Sequence, residues 1–158
     1  MSESLTYFIT WTTYGTWLPG DSRGWMKNNQ GHQPPQPLLE EWCRNRLRAP
    51  VLKLNQFSEK KWKMFATNTP NQEMTDHAIA ARSNHIHLLV TADVEPKTIC
   101  NQFKANGTRV LRQPPDPITA TKIWTRGADI EIVDDHDQTL ERIITYITEA
   151  QERKDRDF

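Results

Sequence analysis

The chain predicts an α+β protein: a ferredoxin-like, split βαβ antiparallel sheet with helices on one face and a C-terminal tyrosine-bearing helix. Three observations carry that expectation. Apolar patterning runs in the order β-α-β-β-α-β. Two strand-like runs, Met74 to Ala81 and Ser83 to Val90, are separated only by a short polar step, which reads as a hairpin. Leu140, Ile143, Ile144 and Ile147 then recur at the i, i+3, i+4, i+7 spacing of one helix face.

The elements follow in order. Tyr7-Phe8-Ile9-Thr10-Trp11-Thr12 is rich in β-formers and predicts the first strand. Tyr14 to Trp25 is punctuated by Gly15, Pro19, Gly20 and Gly24 and reads as a loop. Trp11, Trp17 and Trp25 lie in or beside it, where they can stack on unpaired bases or pin the loop to the core. Asn28 to Pro37 is polar and Pro-rich, hence an extended loop. Leu38 to Leu47 has helical spacing and stops before Pro50. Ser58 is the expected N-cap of a second helical piece bearing Trp62 and Phe65. Pro96, at a helix N1 position, opens a helix that Pro114-Pro115 ends, with Gly107 as its weak point. Thr121 to Val133 predicts a fourth strand with an irregular middle, and Asp135 or Asp137 can cap the last helix.

Composition bounds the function. The chain has 158 residues, 36% of them hydrophobic, with six Trp and five Phe, which suits a single domain over 1–158. No apolar run approaches the ~20 residues that span a bilayer, and residues 1–4 lack the pattern of a signal peptide. Cys43 and Cys100 have no CxxC spacing, so a cytoplasmic protein with reduced thiols and no membrane partner is expected. Net charge is zero, which counts against a nucleic-acid binder at the level of the whole chain. The charge is unevenly spread. Lys97, Lys104, Arg109, Arg112, Lys122 and Arg126 face only one acid, Asp116, in their stretch. Such a surface can hold phosphates; solvated helix faces are the plainer reading.

The chemistry-bearing residues sit in the hairpin and the last helix. Strand residues alternate sides, so His85 and His87 project together while Ile86, Leu88 and Val90 enter a core. Two such imidazoles can grip one divalent metal or can be structural, since a lone His-x-His is a weak motif. The opposite face is strongly apolar, so the histidines are expected on the open side of the sheet. Tyr146 lies on a polar helix face bordered by the apolar stripe, which places its phenol at the sheet edge. A metal and an exposed phenol together suffice to cut a nucleic-acid strand through a tyrosine-phosphate bond. Two imidazoles hold a metal weakly, so a third ligand is needed. With α-helical winding Glu149, at i+3 from Tyr146, shares its face, and Gln151, at i+5, swings ~140° away. Glu149 is therefore preferred, and Gln151 serves only if the helix end deforms. A carboxylate with two histidines suits magnesium or manganese.

Asn84-His85-Ile86-His87-Leu88-Leu89-Val90 resembles the His-hydrophobe-His motif of the HUH single-strand transposases. Tyr146-Ile147-Thr148-Glu149-Ala150-Gln151 resembles their terminal segment with a single catalytic tyrosine. Thr10 to Gly20 is similar to proteins close to the REP-associated tyrosine transposases. The resemblance implies that Tyr146 attacks a DNA phosphate, leaving a free 3′-OH and a 5′-phosphotyrosine. It implies that His85 and His87 hold the metal that polarises that phosphate. It further implies a single-stranded or hairpin DNA partner, read by the helix from Pro96 to Arg112 and nearby loops, and a homodimer in which the tyrosine helix can serve the partner's site. Relatives place an amide four residues after the tyrosine as third ligand; here that position is Ala150, between Glu149 and Gln151.

Two other functions compete. A metallohydrolase would use His85, His87 and His136; against it, no acid closely follows the histidines. A non-catalytic single-strand binder would use the sheet face and the N-terminal tryptophans, but neutral charge disfavours affinity without chemistry.

Overall fold

The computed structural model describes residues 3–27, 30–68, 74–133 and 137–150. Four strands, β1 (Leu5–Thr12), β4 (Met74–Ala81), β5 (His85–Ala92) and β6 (Asp129–Val133), form one sheet in the order β4-β5-β1-β6. Every neighbouring pair is antiparallel. Strand β5 therefore lies between β1 and β4, and β1 between β5 and β6, which makes two interlocked split βαβ units. The crossovers are α1 (Pro37–Arg44) with α2 (Gln56–Asn68), and α3 (Pro96–Leu111). This is the α+β architecture read from the sequence.

Alternation along the strands sorts the residues into two cores. On one face Tyr7, Ile9 and Trp11 of β1 and Ile86, Leu88 and Val90 of β5 pack under Trp62 and Ala66 of α2 and Ile99, Phe103 and Leu111 of α3. On the other, Ala78, Ala80, Leu89, Val133 and Phe8 pack under Leu140, Ile143, Ile144 and Ile147. The apolar stripe of α4 (Asp137–Thr145) and the turn after it thus covers the face that α2 and α3 leave open. Burying a side chain such as Ile147 on this face contributes about 1.5–3 kcal/mol.

Several local expectations change. Trp25–Lys27 (β2) and Gly31–Gln33 (β3) pair as a small hairpin inside the stretch read as loop. Helix α1 ends at Arg44, short of Leu47. The cap of α2 is Asn55, whose Oδ1 accepts the N–H of Ser58 at 2.8 Å; Ser58 itself is buried. Gly107 is required by packing: a Cβ there would stand 2.8 Å from Trp62 Cδ1 and collide with the indole nitrogen. The irregular middle of the fourth strand resolves into a Thr13–Trp124 bridge followed by β6.

The three N-terminal tryptophans all serve the fold. Trp11 is in the core, edge-on to Trp62 and Trp124 at 5.9 and 6.2 Å. Trp17 Nε1 donates to Gly24 O at 2.8 Å under the Arg23 guanidinium, and Trp25 Nε1 donates to Pro34 O at 3.0 Å. Gly20 makes the loop possible at φ +89°, where a Cβ would meet the backbone nitrogen of Glu40 at 2.6 Å.

Candidate active site

The register of β1 against β5 builds the site. Thr10 lies opposite His87 and Thr12 opposite His85, so threonine hydroxyls stand across the strand boundary from the imidazoles. His87 Nδ1 and Thr10 Oγ1 are hydrogen-bonded at 2.8 Å. His85 Nδ1 donates to Asn84 Oδ1 at 2.6 Å, and Asn84 is itself buried. The two rings are 4.6 Å apart, edge to face. With each Nδ1 engaged in a hydrogen bond, both rings are held in orientation. That is how outer hydrogen bonds prepare imidazoles for a metal.

Tyr146 joins this pair from the far end of the chain. Its ring centroid is 5.8 Å from that of His87 and 6.5 Å from that of Phe8, which itself stacks on His87 at 5.3 Å. Phe8 and His87 belong to the central strands, so the tyrosine stands over the middle of the sheet rather than at its edge. The reason is Ile147, wholly buried against Ala78, Ala80 and Leu89, which draws the chain down onto the sheet. Alanines on β4 leave room for that approach. Tyr146 keeps 38% of its surface exposed, whereas His85 and His87 keep 6% and 5%. The histidines are therefore on the predicted face but roofed, not open. Two imidazoles and a solvent-reaching phenol meet within one chain.

The helix changes winding at this point. α4 ends at Thr145, and Tyr146–Ala150 is a π turn. Such turns are rare and concentrate at functional sites. The preference for Glu149 assumed α-helical winding, which does not hold over Tyr146–Ala150. The Glu149 side chain, all of Gln151 and all of His136 lie outside what the structure describes. Among the described residues no group of three or more His, Cys, Asp or Glu side chains converges as a metal site. His85 and His87, preset as above, nevertheless fit two positions of one.

The basic run divides. Lys104 is half-buried and donates to Thr125 O and Gly127 O at 3.0 and 2.6 Å; burial pushes its ammonium below the usual lysine range, with the Cys100 thiol acting against that shift. Arg112 Nη1 and Nη2 donate to Ile118 O and Thr121 O at 3.4 and 3.3 Å. Both therefore staple the segment after α3. Lys97, Arg109 and Arg126 are exposed, Arg109 with a bond to Asn106 Oδ1 at 3.1 Å. Helix α3 lies across the sheet from Tyr146. Arg126 is nearer the site in construction, because Thr12, opposite His85, bonds Thr125 Oγ1 at 2.9 Å.

Sequence reasoning gave no role to Thr10, Asn84 or Phe8. Asn84 adjoins the motif and could have been found by its position; Thr10 and Phe8 become visible only with the strand register. Among the described residues no helix is long and apolar enough to cross a membrane.

Comparison with curated proteins returns no match. The family model described as "Transposase IS200 like" matches residues 42–150, which include the histidine strand, the tyrosine and most of the second core. By that match the chain belongs to the IS200-like transposase family, a family of DNA transposition enzymes.

Proposed function

We propose that the protein is a metal-dependent DNA strand transferase that acts on single-stranded or hairpin DNA through Tyr146, as a homodimer. The observation that carries this reading is the proximity of the Tyr146 ring to His87 at 5.8 Å, with His85 beside it. Family membership supports the DNA substrate, and the partial exposure of Tyr146 supports access to it.

In this reading Tyr146 Oη attacks a DNA phosphorus and the bond from phosphorus to the 3′ oxygen breaks. The phenolic proton passes to water or a nearby base, and the departing 3′ oxygen takes up a proton. A 5′-phosphotyrosine remains, and attack by another 3′-OH reverses the sequence and joins new strands. A free phenol titrates near ~10, so the attack benefits from a cation nearby. His85 and His87 would hold magnesium or manganese, which when bound polarises the phosphate and favours the phenolate. Asn84 and Thr10, hydrogen-bonded to the two Nδ1 atoms, would hold both rings in orientation for this.

Glu149 and Gln151 are the proposed sources of the third ligand, and the π winding over Tyr146–Ala150 removes the α-helical ground for preferring Glu149. Arg126 is the proposed phosphate contact beside the site, with Lys104 and Arg112 holding the loop that presents it, while Lys97 and Arg109, on α3 across the sheet, would contact DNA away from Tyr146.

The test is incubation with a library of single-stranded hairpin DNAs and magnesium or manganese. A denaturant-resistant protein–DNA adduct is expected, mapping to Tyr146 and lost in Tyr146→Phe. DNA binding without an adduct, unaffected by chelator, would instead identify a non-catalytic single-strand binder. Strand hydrolysis that survives Tyr146→Phe would identify a metallohydrolase.

A further inference from the structure

We propose that Arg82 is a positioning residue that latches the tyrosine turn onto the histidine hairpin. The proposal deepens the strand-transfer reading and rests on it. Arg82 lies in the connection from β4 to β5, and its backbone N–H donates to His85 O at 2.8 Å. Its main chain is thereby fixed in the same tight turn as His85. Its half-buried side chain crosses to the last helix, where Nη2 donates to Ile147 O at 3.4 Å. One side chain thus ties the turn that carries His85 to the residue that follows Tyr146.

Two features give this bond more weight than an ordinary surface contact. First, it falls within the π turn, where the i→i+4 ladder is displaced. Side-chain donors serve carbonyls in this turn and in the last turn of α4 before it: Arg82 donates to Ile147 O, and Thr148 Oγ1 to Ile144 O at 2.8 Å. Second, the other anchor of the turn is apolar. The Ile147 side chain, packed against Ala78 and Ala80, resists lifting of the turn but is non-directional. A charge-assisted bond to a carbonyl sets direction, and a guanidinium does so from a planar, preorganised fork. Arg82 therefore fixes the angle at which Tyr146 stands over His87.

The test compares wild type, Arg82→Gln and Arg82→Lys in three measurements: backbone hydrogen exchange over residues 137–150 without DNA, the single-turnover rate of adduct formation at saturating hairpin DNA with manganese, and DNA affinity. For Arg82→Gln, exchange across 144–150 is expected to accelerate. Its adduct rate is expected to fall on the order of 10- to 100-fold, with DNA affinity within about two-fold of wild type. Arg82→Lys is expected to recover part of the rate. Unchanged exchange over 144–150 overturns the latch, and so does an unchanged adduct rate. A loss of rate matched by an equal loss of DNA affinity overturns it too, since Arg82 would then be a phosphate contact. If wild type forms no adduct, the strand-transfer reading fails and the exchange measurement decides Arg82 by itself. If Arg82→Gln does not fold, Arg82→Lys carries the same comparisons.

Discussion

The ring of Tyr146 stands 5.8 Å from the ring of His87 in the same chain. One copy of the protein therefore brings together the proposed nucleophile and the imidazole pair. Catalysis between chains would require the tyrosine turn to leave the groove where Ile147 is wholly buried. A mixture of Tyr146→Phe and His87→Ala, each inactive alone, is expected to form no protein–DNA adduct. The check is a denaturing gel with labelled hairpin DNA. Recovery of adduct in the mixture would show that the tyrosine turn crosses between copies.

Thr10 holds His87 Nδ1 at 2.8 Å, which makes it the simplest handle on the metal affinity proposed for this site. Thr10→Val removes the partner and leaves the strand and its β-branched side chain in place. Manganese binding, measured by calorimetry on the protein alone, is expected to weaken about 10- to 100-fold. Thr6→Val, on the same face but bonded to Thr91 Oγ1 at 2.7 Å, is expected to leave manganese affinity unchanged. Equal losses in both variants would attribute the effect to the sheet rather than to His87.

Much of this site was legible in the sequence because it depends on alternation and helical periodicity. His85 and His87 share a face because they are two residues apart on a strand, and the stripe ending at Ile147 announced a buried helix face. What the sequence left open depends on which face of the sheet the last helix covers. Once α4 takes the face opposite α2 and α3, Tyr146 lies over the sheet centre and the histidines are roofed. Nothing in the run Thr145 to Gln151 marks a π turn, a departure from α winding that coincides with the burial of Ile147 against the sheet. The cap of α2 shows the same limit: Asn55 and Ser58 are both good capping types, and only the packing that buries Ser58 decides between them.

Gly107 was read as a weak point of its helix, and the packing reverses that. A Cβ at 107 would push into the fully buried Trp62, whose ring also touches Trp11, Phe65 and Phe103. Helix propensity favours alanine over glycine by about 1 kcal/mol. Overpacking a tight core costs about 1–3 kcal/mol, so the clash outweighs the propensity gain. Gly107→Ala is expected to lower stability in urea denaturation. Stabilisation would show that Trp62 repacks freely.

Asp21 gives the N-terminal loop a pH dependence with a definite sign. Burial pushes its carboxyl up, but Arg23 outweighs that with bonds from its backbone N–H, Nε and Nη2 and with its charge, holding the carboxyl below its ordinary 3.8. Arg23 is in turn stacked 3.8 Å over the Trp17 ring, so the ion pair fixes the loop that carries Gly20 and Trp25. In the folded protein Asp21 binds its proton less readily than in the unfolded chain. Its contribution is therefore full above 3.8 and fades as pH falls through the lower, folded value. Asp21→Asn is expected to cost on the order of 1 kcal/mol near pH ~6 and progressively less toward pH ~3. Paired denaturation curves for the two proteins across that range check it. A gap that stays constant on acidification would mean that the carboxylate charge contributes nothing to holding the loop.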